Sequence, residues 1–100
     1  MYVIEWDFLP APGREAEFVE TYGPNGIWVD LFRKGQGYMG TDLFSLAERP
    51  GWYRTVDRWA SESDYVQFRS EFATEYAQID SASEQLTAKE VQVVQSHSSS

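Results

Sequence analysis

Asp57 is the side chain in this sequence best placed to do chemistry. It lies between Thr55 and Trp59 in a run where alternate residues share a face, so these three and Tyr53 point the same way. A carboxylate under aromatic cover has a raised pKa, which suits it to taking a phenolic proton. The blander reading is a structural Asp held by a hydrogen bond or a salt bridge. Trp59 closes the run, Ser61 opens a helix two residues later, and Tyr65 is the first aromatic on that helix. An indole dominates any small core, so Trp59 reads as packing or as a wall against a substrate. A buried Tyr65 hydroxyl needs a partner; in a pocket it could donate to a substrate or to superoxide. Trp28, Phe32, Tyr38 and Phe68 supply apolar surface for a core or a pocket wall.

Other chemistries lack their residues. There is no Cys, which removes thiolate nucleophiles, disulfides and Cys-metal sites. The one His, His97, sits in a Ser-rich tail, so a Ser–His pair is implausible and no metal-ligand set forms; neither a metal nor a cofactor is expected. No Gly-rich loop follows a strand and opens a helix, as phosphate binding requires. A net charge of −8 repels phosphate backbones and anionic membrane surfaces, so neither nucleic acid nor membrane is an expected partner. No stretch approaches the roughly 20 apolar residues of a membrane span. The opening residues alternate polar and apolar, unlike a secretory signal, and the expected location is cytoplasmic.

The elements that must position these side chains are legible in the pattern. One hundred residues make one domain, expected over residues 1–95, with residues 96–100 as a disordered tail. Tyr2 to Leu9 alternates as a strand, with Tyr2, Ile4, Trp6 and Phe8 on one face and Val3, Glu5, Asp7 and Leu9 on the other; Pro10 to Gly13 ends it. Arg14 to Tyr22 is a helix with acid in its first turn, and Ile27 to Phe32 a second, short one. Tyr38 to Ala47 and Trp52 to Ala60 form a hairpin, with Gly40 suggesting a bulge. Ser61 caps a helix of about five turns whose stripe is Tyr65, Phe68, Phe72, Tyr76 and Ile79. Lys89 to Gln95 is the last strand. Strand, helix, strand, strand, helix, strand is the ferredoxin-like βαββαβ order, an α+β fold with a four-stranded antiparallel sheet and helices on one face. The other face needs cover, and a second copy of the chain is the economical solution. Aromatics reach 16%, more than a small core holds, so some rings must line a pocket or an interface.

Over roughly Tyr2 to Gln95 the chain resembles an antibiotic biosynthesis monooxygenase domain. The resemblance rests on the Pro-Gly turn after the first strand, Phe18 on an acidic helix, Gly37-Tyr38, Asp57-x-Trp59, and Ser61 with Tyr65. It implies a homodimeric α/β barrel with a pocket in each subunit between the sheet and its own helices. Thr55, Asp57 and Trp59 would face that pocket. Arg54, Val56 and Arg58 would face the dimer, with Glu5 and Asp7 pairing the arginines. It also implies cofactor-independent oxygenation of a phenol or quinol, with Asp57, Tyr65, Trp59 and Thr55 as catalytic residues and Trp28, Tyr38, Phe32 and Phe68 as the substrate-binding wall. Thr55 stands where the cofactor-free members have Asn, and Phe68 and Arg69 stand where quinol-oxidising members often have a helical His. Haem degradation is not expected, because the one His, His97, lies in the tail and Trp6 or Asp7 occupies the place of the first-strand Asn that haem-degrading members need. Two alternatives remain open: a non-catalytic ligand-binding or structural dimer, and a cofactor-free isomerase or cyclase using Asp57 as base.

Overall fold

The computed structural model describes the backbone of residues 1–97 and the side chains of residues 1–93. Strand β1 (Tyr2–Pro10) leads into helices α1 (Glu15–Tyr22) and α2 (Ile27–Phe32). The hairpin β2 (Tyr38–Ser45) and β3 (Tyr53–Trp59) follows, then α3 (Glu62–Glu71), α4 (Ala73–Ser83), a 3-10 turn (Glu84–Leu86) and β4 (Thr87–His97). The four strands lie in the order β2-β3-β1-β4, every neighbouring pair antiparallel, with the helices on one face. This is the ferredoxin-like arrangement that the order of elements implies. Among the described residues no helix is long and apolar enough to cross a membrane.

Period-two alternation sets the two faces of the sheet. Tyr2, Ile4, Trp6 and Phe8 of β1 stand opposite Trp59, Asp57, Thr55 and Tyr53 of β3, and all eight face the helices. Against this surface α1 and α2 bury Phe18, Tyr22, Trp28, Leu31 and Phe32, and α3 buries Phe68. Full burial of one such side chain contributes about 1.5–3 kcal/mol. Two glycines let the layers close. A Cβ on Gly35 would stand 2.7 Å from Phe68 Cδ1 and 2.9 Å from Trp59 Cζ3. Gly37, at φ +86°, runs against the Asp64 side chain, with no room for a Cβ.

Several local signals hold in detail. Ser61 accepts the Asp64 N–H at 3.1 Å, capping α3. The ladder slips between Tyr38 and Gly40, at the glycine that suggested a bulge. The single five-turn helix does not form. Phe72 leaves helical geometry (φ −109°, ψ 28°) and separates α3 from α4. No Gly or Pro marks the break. The rings on its two sides pack on different parts of the core, Phe68 on Trp59 and Tyr76 on Trp28, so tertiary packing places it. Strand β4 extends beyond the expected Lys89 to Gln95 at both ends, because β1 offers ladder partners from Tyr2 to Pro10. The remainder of the expected tail, residues 98–100, lies outside the described residues.

The ion pairs on the far face follow the register. Arg54 stands directly opposite Asp7 and grips it with two bonds, 2.7 and 3.1 Å, while Arg49 approaches at 3.4 Å. Arg58 does not turn to Glu5 or Asp7. It bonds Asp42 of β2 at 2.9 Å, because Asp42 lies diagonally across the β2–β3 ladder from it. Phe44 and Val91 remain exposed on this same face.

Candidate functional site

Between the sheet and the helices lies a cavity of about 270 Å³, partly open to solvent. The strands contribute Trp6 and Phe8 (β1), Thr41 (β2), Thr55 and Asp57 (β3) and Glu90 (β4). The helices close it with Tyr22 (α1), Trp28 and Phe32 (α2), Arg69 (α3), and Tyr76 and Asp80 (α4). Each strand residue reaches the cavity because alternation turns it inward, and each helix residue because its apolar stripe faces the sheet. Six aromatic side chains and six polar or charged ones line it.

Asp57 is the polar centre of that enclosure. It is 9% exposed, and its Oδ1 accepts the Thr41 hydroxyl at 2.8 Å. The Thr41 proton is committed to Asp57, so the Tyr38 hydroxyl, in contact with Thr41 Oγ1, donates to it. The chain therefore runs Tyr38 to Thr41 to Asp57. Among the described residues Oδ2 of Asp57 carries no hydrogen bond. Burial pushes the Asp57 carboxyl up from 3.8 to about 6, against the opposing pull of the Thr41 bond and the Arg58 charge. At neutral pH it is mainly ionised and is a stronger base than an ordinary Asp by about two pKa units.

The other titrating groups sit around it. Burial pushes the Tyr22 and Tyr76 phenols up to about 12, so both stay neutral. The Glu90 carboxyl is raised by burial and then by the like charges of Asp80 and Glu84. Arg69 donates to the Tyr65 hydroxyl at 2.9 Å, and its guanidinium lies 3.9 Å over the Tyr76 ring. Among the described residues no three His, Cys, Asp or Glu side chains gather as metal ligands.

The residues singled out from the sequence divide into two groups. Asp57, Thr55, Trp28 and Phe32 all line the cavity. Trp59, Tyr65, Phe68 and Tyr38 do not. Trp59 is wholly buried and ringed by Phe32, Tyr38, Tyr65 and Phe68 at centroid distances of 4.9–6.1 Å. The cause is local. Helix α3 starts so soon after β3 that it folds Tyr65 and Phe68 back onto the indole, and Gly35 seals the remaining side. Trp59 Nε1 is left buried without a hydrogen-bond partner, as is Trp28 Nε1. Tyr38 acts on the cavity at one remove, through Thr41.

Reading the sequence alone missed Thr41, Arg69, Asp80 and Glu90 as site residues. Thr41 had a usable signal: placing the Gly40 bulge in the hairpin register puts it directly across from Asp57. Arg69 had another, the i,i+4 spacing from Tyr65. Asp80 and Glu90 had none, since only the packing of α4 beside β4 brings them to one opening.

No protein-family model matches the chain, and no curated protein matches it in sequence. Solved structures match it in fold. Rv0793 of Mycobacterium tuberculosis superposes with a TM-score of 0.66 at 14% identity, over 99% of this chain and 98% of that one. SnoaB, a cofactor-independent oxygenase of Streptomyces nogalater, gives 0.65 at 11% identity, over 98% and 95%. A protein of Nitrosomonas europaea assigned as an antibiotic biosynthesis monooxygenase gives 0.68 at 14% identity, over 92% and 85%. The chain thus has the fold of structures assigned as antibiotic biosynthesis monooxygenases; at these identities the likeness concerns the fold alone.

Proposed function

We propose that the cavity binds one small aromatic molecule and that Asp57 acts there as general base in a cofactor-independent oxygenation of a phenol or quinol. One observation carries this reading: a buried carboxylate, with a raised pKa and one unbonded oxygen, on the wall of an aromatic cavity. Asp57 takes the phenolic proton, and the electron-rich phenolate supplies electrons to O2. For a phenol with a free para position, one O2 converts the ring to a quinone and releases one water, so no external reductant is needed. Transfer from a phenol near pKa 10 to Asp57 is uphill by about 5 kcal/mol, a small part of a typical barrier. Thr41 orients the acceptor oxygen, and Thr55 offers a second hydroxyl on the same wall. The aromatic walls limit the access of water to the reactive intermediates. Tyr65 and Trp59 support the wall from behind, in place of the direct role that their family positions implied.

The test is oxygen uptake by the purified protein with simple naphthols and quinols. Turnover that falls at least a hundredfold in Asp57→Asn, while Trp59→Phe retains it, supports the reading. Uptake unaffected by Asp57→Asn would remove it, and ligand conversion without uptake would assign Asp57 to isomerase or cyclase chemistry.

A second reading is a ligand-binding domain without turnover. It is favoured by Thr55 in place of the Asn of cofactor-free members, and by Trp59 and Tyr65 lying off the cavity wall. Under either reading we propose a homodimer through the open sheet face, where Phe44 and Val91 are exposed beside Val56.

A further inference from the structure

The hydroxyls around the cavity differ in what they are already bonded to. The Thr41 proton is committed to Asp57, and the Tyr38 hydroxyl to Thr41. Tyr65 accepts from Arg69 and stands off the wall. Tyr22 has Ser83 and the Trp28 indole beside its hydroxyl. Tyr76 lines the cavity from α4, and among the described residues its hydroxyl makes no hydrogen bond. Burial nonetheless pushes that phenol up to about 12, so the hydroxyl lies away from bulk water. A buried donor without a partner, on a side chain that lines a cavity, has the cavity as its remaining space.

The ring that carries this hydroxyl is held on several sides. It meets Trp28 at 4.9 Å and Phe68 at 6.5 Å, both edge to face. The Arg69 guanidinium covers one of its faces at 3.9 Å and is itself fixed by a bond to the Tyr65 hydroxyl at 2.9 Å. A hydroxyl on a fixed ring is a pre-organised donor, since little freedom is left to lose when a ligand binds. The cation over the ring draws on its π electrons and strengthens the O–H as a donor. Tyr76 descends from the helical roof, whereas Asp57 stands on the strand floor. A ligand oxygen between them meets a donor on one side and the unbonded Asp57 Oδ2 on the other.

We propose that Tyr76 is the hydrogen-bond donor of this site, its hydroxyl bonded to the ligand's phenolic oxygen on the side away from Asp57. This deepens the oxygenation reading above and rests on it. The phenolic proton passes to Asp57 Oδ2, the bonding pair stays on the ligand oxygen, and the phenolate keeps the Tyr76 hydrogen bond. That bond is stronger to the anion than to the neutral phenol, so it favours the transfer. Tyr76 gives up no proton of its own, because burial keeps its phenol neutral. The donor role implied for Tyr65 falls to Tyr76, since Arg69 occupies the Tyr65 hydroxyl.

The probe that tests this is 4-nitrophenol, whose phenolate absorbs apart from the phenol, so its ionisation is followed while bound. Absorbance is titrated against pH with protein in excess, in the parent, Tyr76→Phe and Asp57→Asn. Phe keeps the ring beside Trp28 and Phe68 and beneath Arg69, so 4-nitrotoluene, which has no hydroxyl, should bind the parent and Tyr76→Phe alike. Loss of the donor should make bound 4-nitrophenol about tenfold harder to ionise. Asp57→Asn should act in the opposite direction, because it removes a like charge beside the phenolate. The other titrating groups near Tyr76 are Tyr65 and Arg69 on α3 and Asp80 on α4; all three proteins share them, and they cancel in the comparison. An ionisation unmoved in Tyr76→Phe would overturn the inference, as would an equal loss of 4-nitrotoluene binding, which marks a packing role. The two readings fail separately. A Tyr76 effect without an Asp57 effect would support the donor and remove the base. An Asp57 effect without a Tyr76 effect would do the reverse. Failure of 4-nitrophenol to bind at millimolar concentration would overturn both.

Discussion

Asp57→Asn should make this protein more stable at neutral pH. Burial raises the folded-state pKa of Asp57 from 3.8 to about 6, so the folded chain holds that proton more tightly than the unfolded chain. Below pH 3.8 the group is protonated in both states and exacts no penalty. As pH rises from 3.8 towards 6, the unfolded state ionises freely while the folded state resists, and stability falls; above 6 the whole penalty is present. Its size is about 3 kcal/mol, and little of it is lost to solvent screening because Asp57 is only 9% exposed. Asn has the same shape, carries no charge, and can still accept the Thr41 hydroxyl through its carbonyl oxygen. Urea denaturation at pH 4 and pH 7.5 checks this. With an m-value of about 1.5 kcal/mol/M, the variant's midpoint should lie about 2 M above that of the parent at pH 7.5, with most of the gap gone at pH 4. Groups that titrate alike in both proteins, Glu90 among them, cancel in the difference. A gap that does not change with pH, or a variant less stable at pH 7.5, would refute the argument that burial destabilises the ionised carboxylate. The same substitution removes the proposed base, so stability and activity should move in opposite directions.

Thr41→Val removes the donor that favours ionised Asp57, so the carboxyl should titrate higher still by carbon NMR, and Thr41→Ser should restore it; an unmoved midpoint would show that the bond has no influence on Asp57. Gel filtration should give twice the chain mass of 11.5 kDa, falling to the monomer in Phe44→Asp/Val91→Asp; a well-folded monomer of the parent chain at micromolar concentration would exclude the dimer.

The order of elements needed little beyond local rules. Alternation in β1 and β3 sorted the side chains onto two faces, and the resemblance to the monooxygenase domain implied that the face with Thr55 and Asp57 is the inward one. Pro-Gly turns, the Ser61 cap and the Gly40 bulge are short-range signals that act through backbone geometry. The composition also required surplus aromatics to find a cavity or an interface. These features survive in the folded chain because each depends on a residue and its near neighbours.

What surrounds Asp57 was a different kind of question. Trp59 has the same inward aim, two residues along the same strand, yet it is entombed, because α3 returns immediately over it. Position along a strand names a face; only the path of the following helix decides whether that face meets a cavity or a core. The break at Phe72, the pairing of Arg58 with Asp42, and the meeting of Asp80 with Glu90 all join residues across different elements. Side-chain chemistry and the sorting into two faces were thus written into the sequence by itself. Whether a given inward group faces empty space, a partner or another charge was decided by tertiary packing, because it depends on distances between segments that no local spacing encodes.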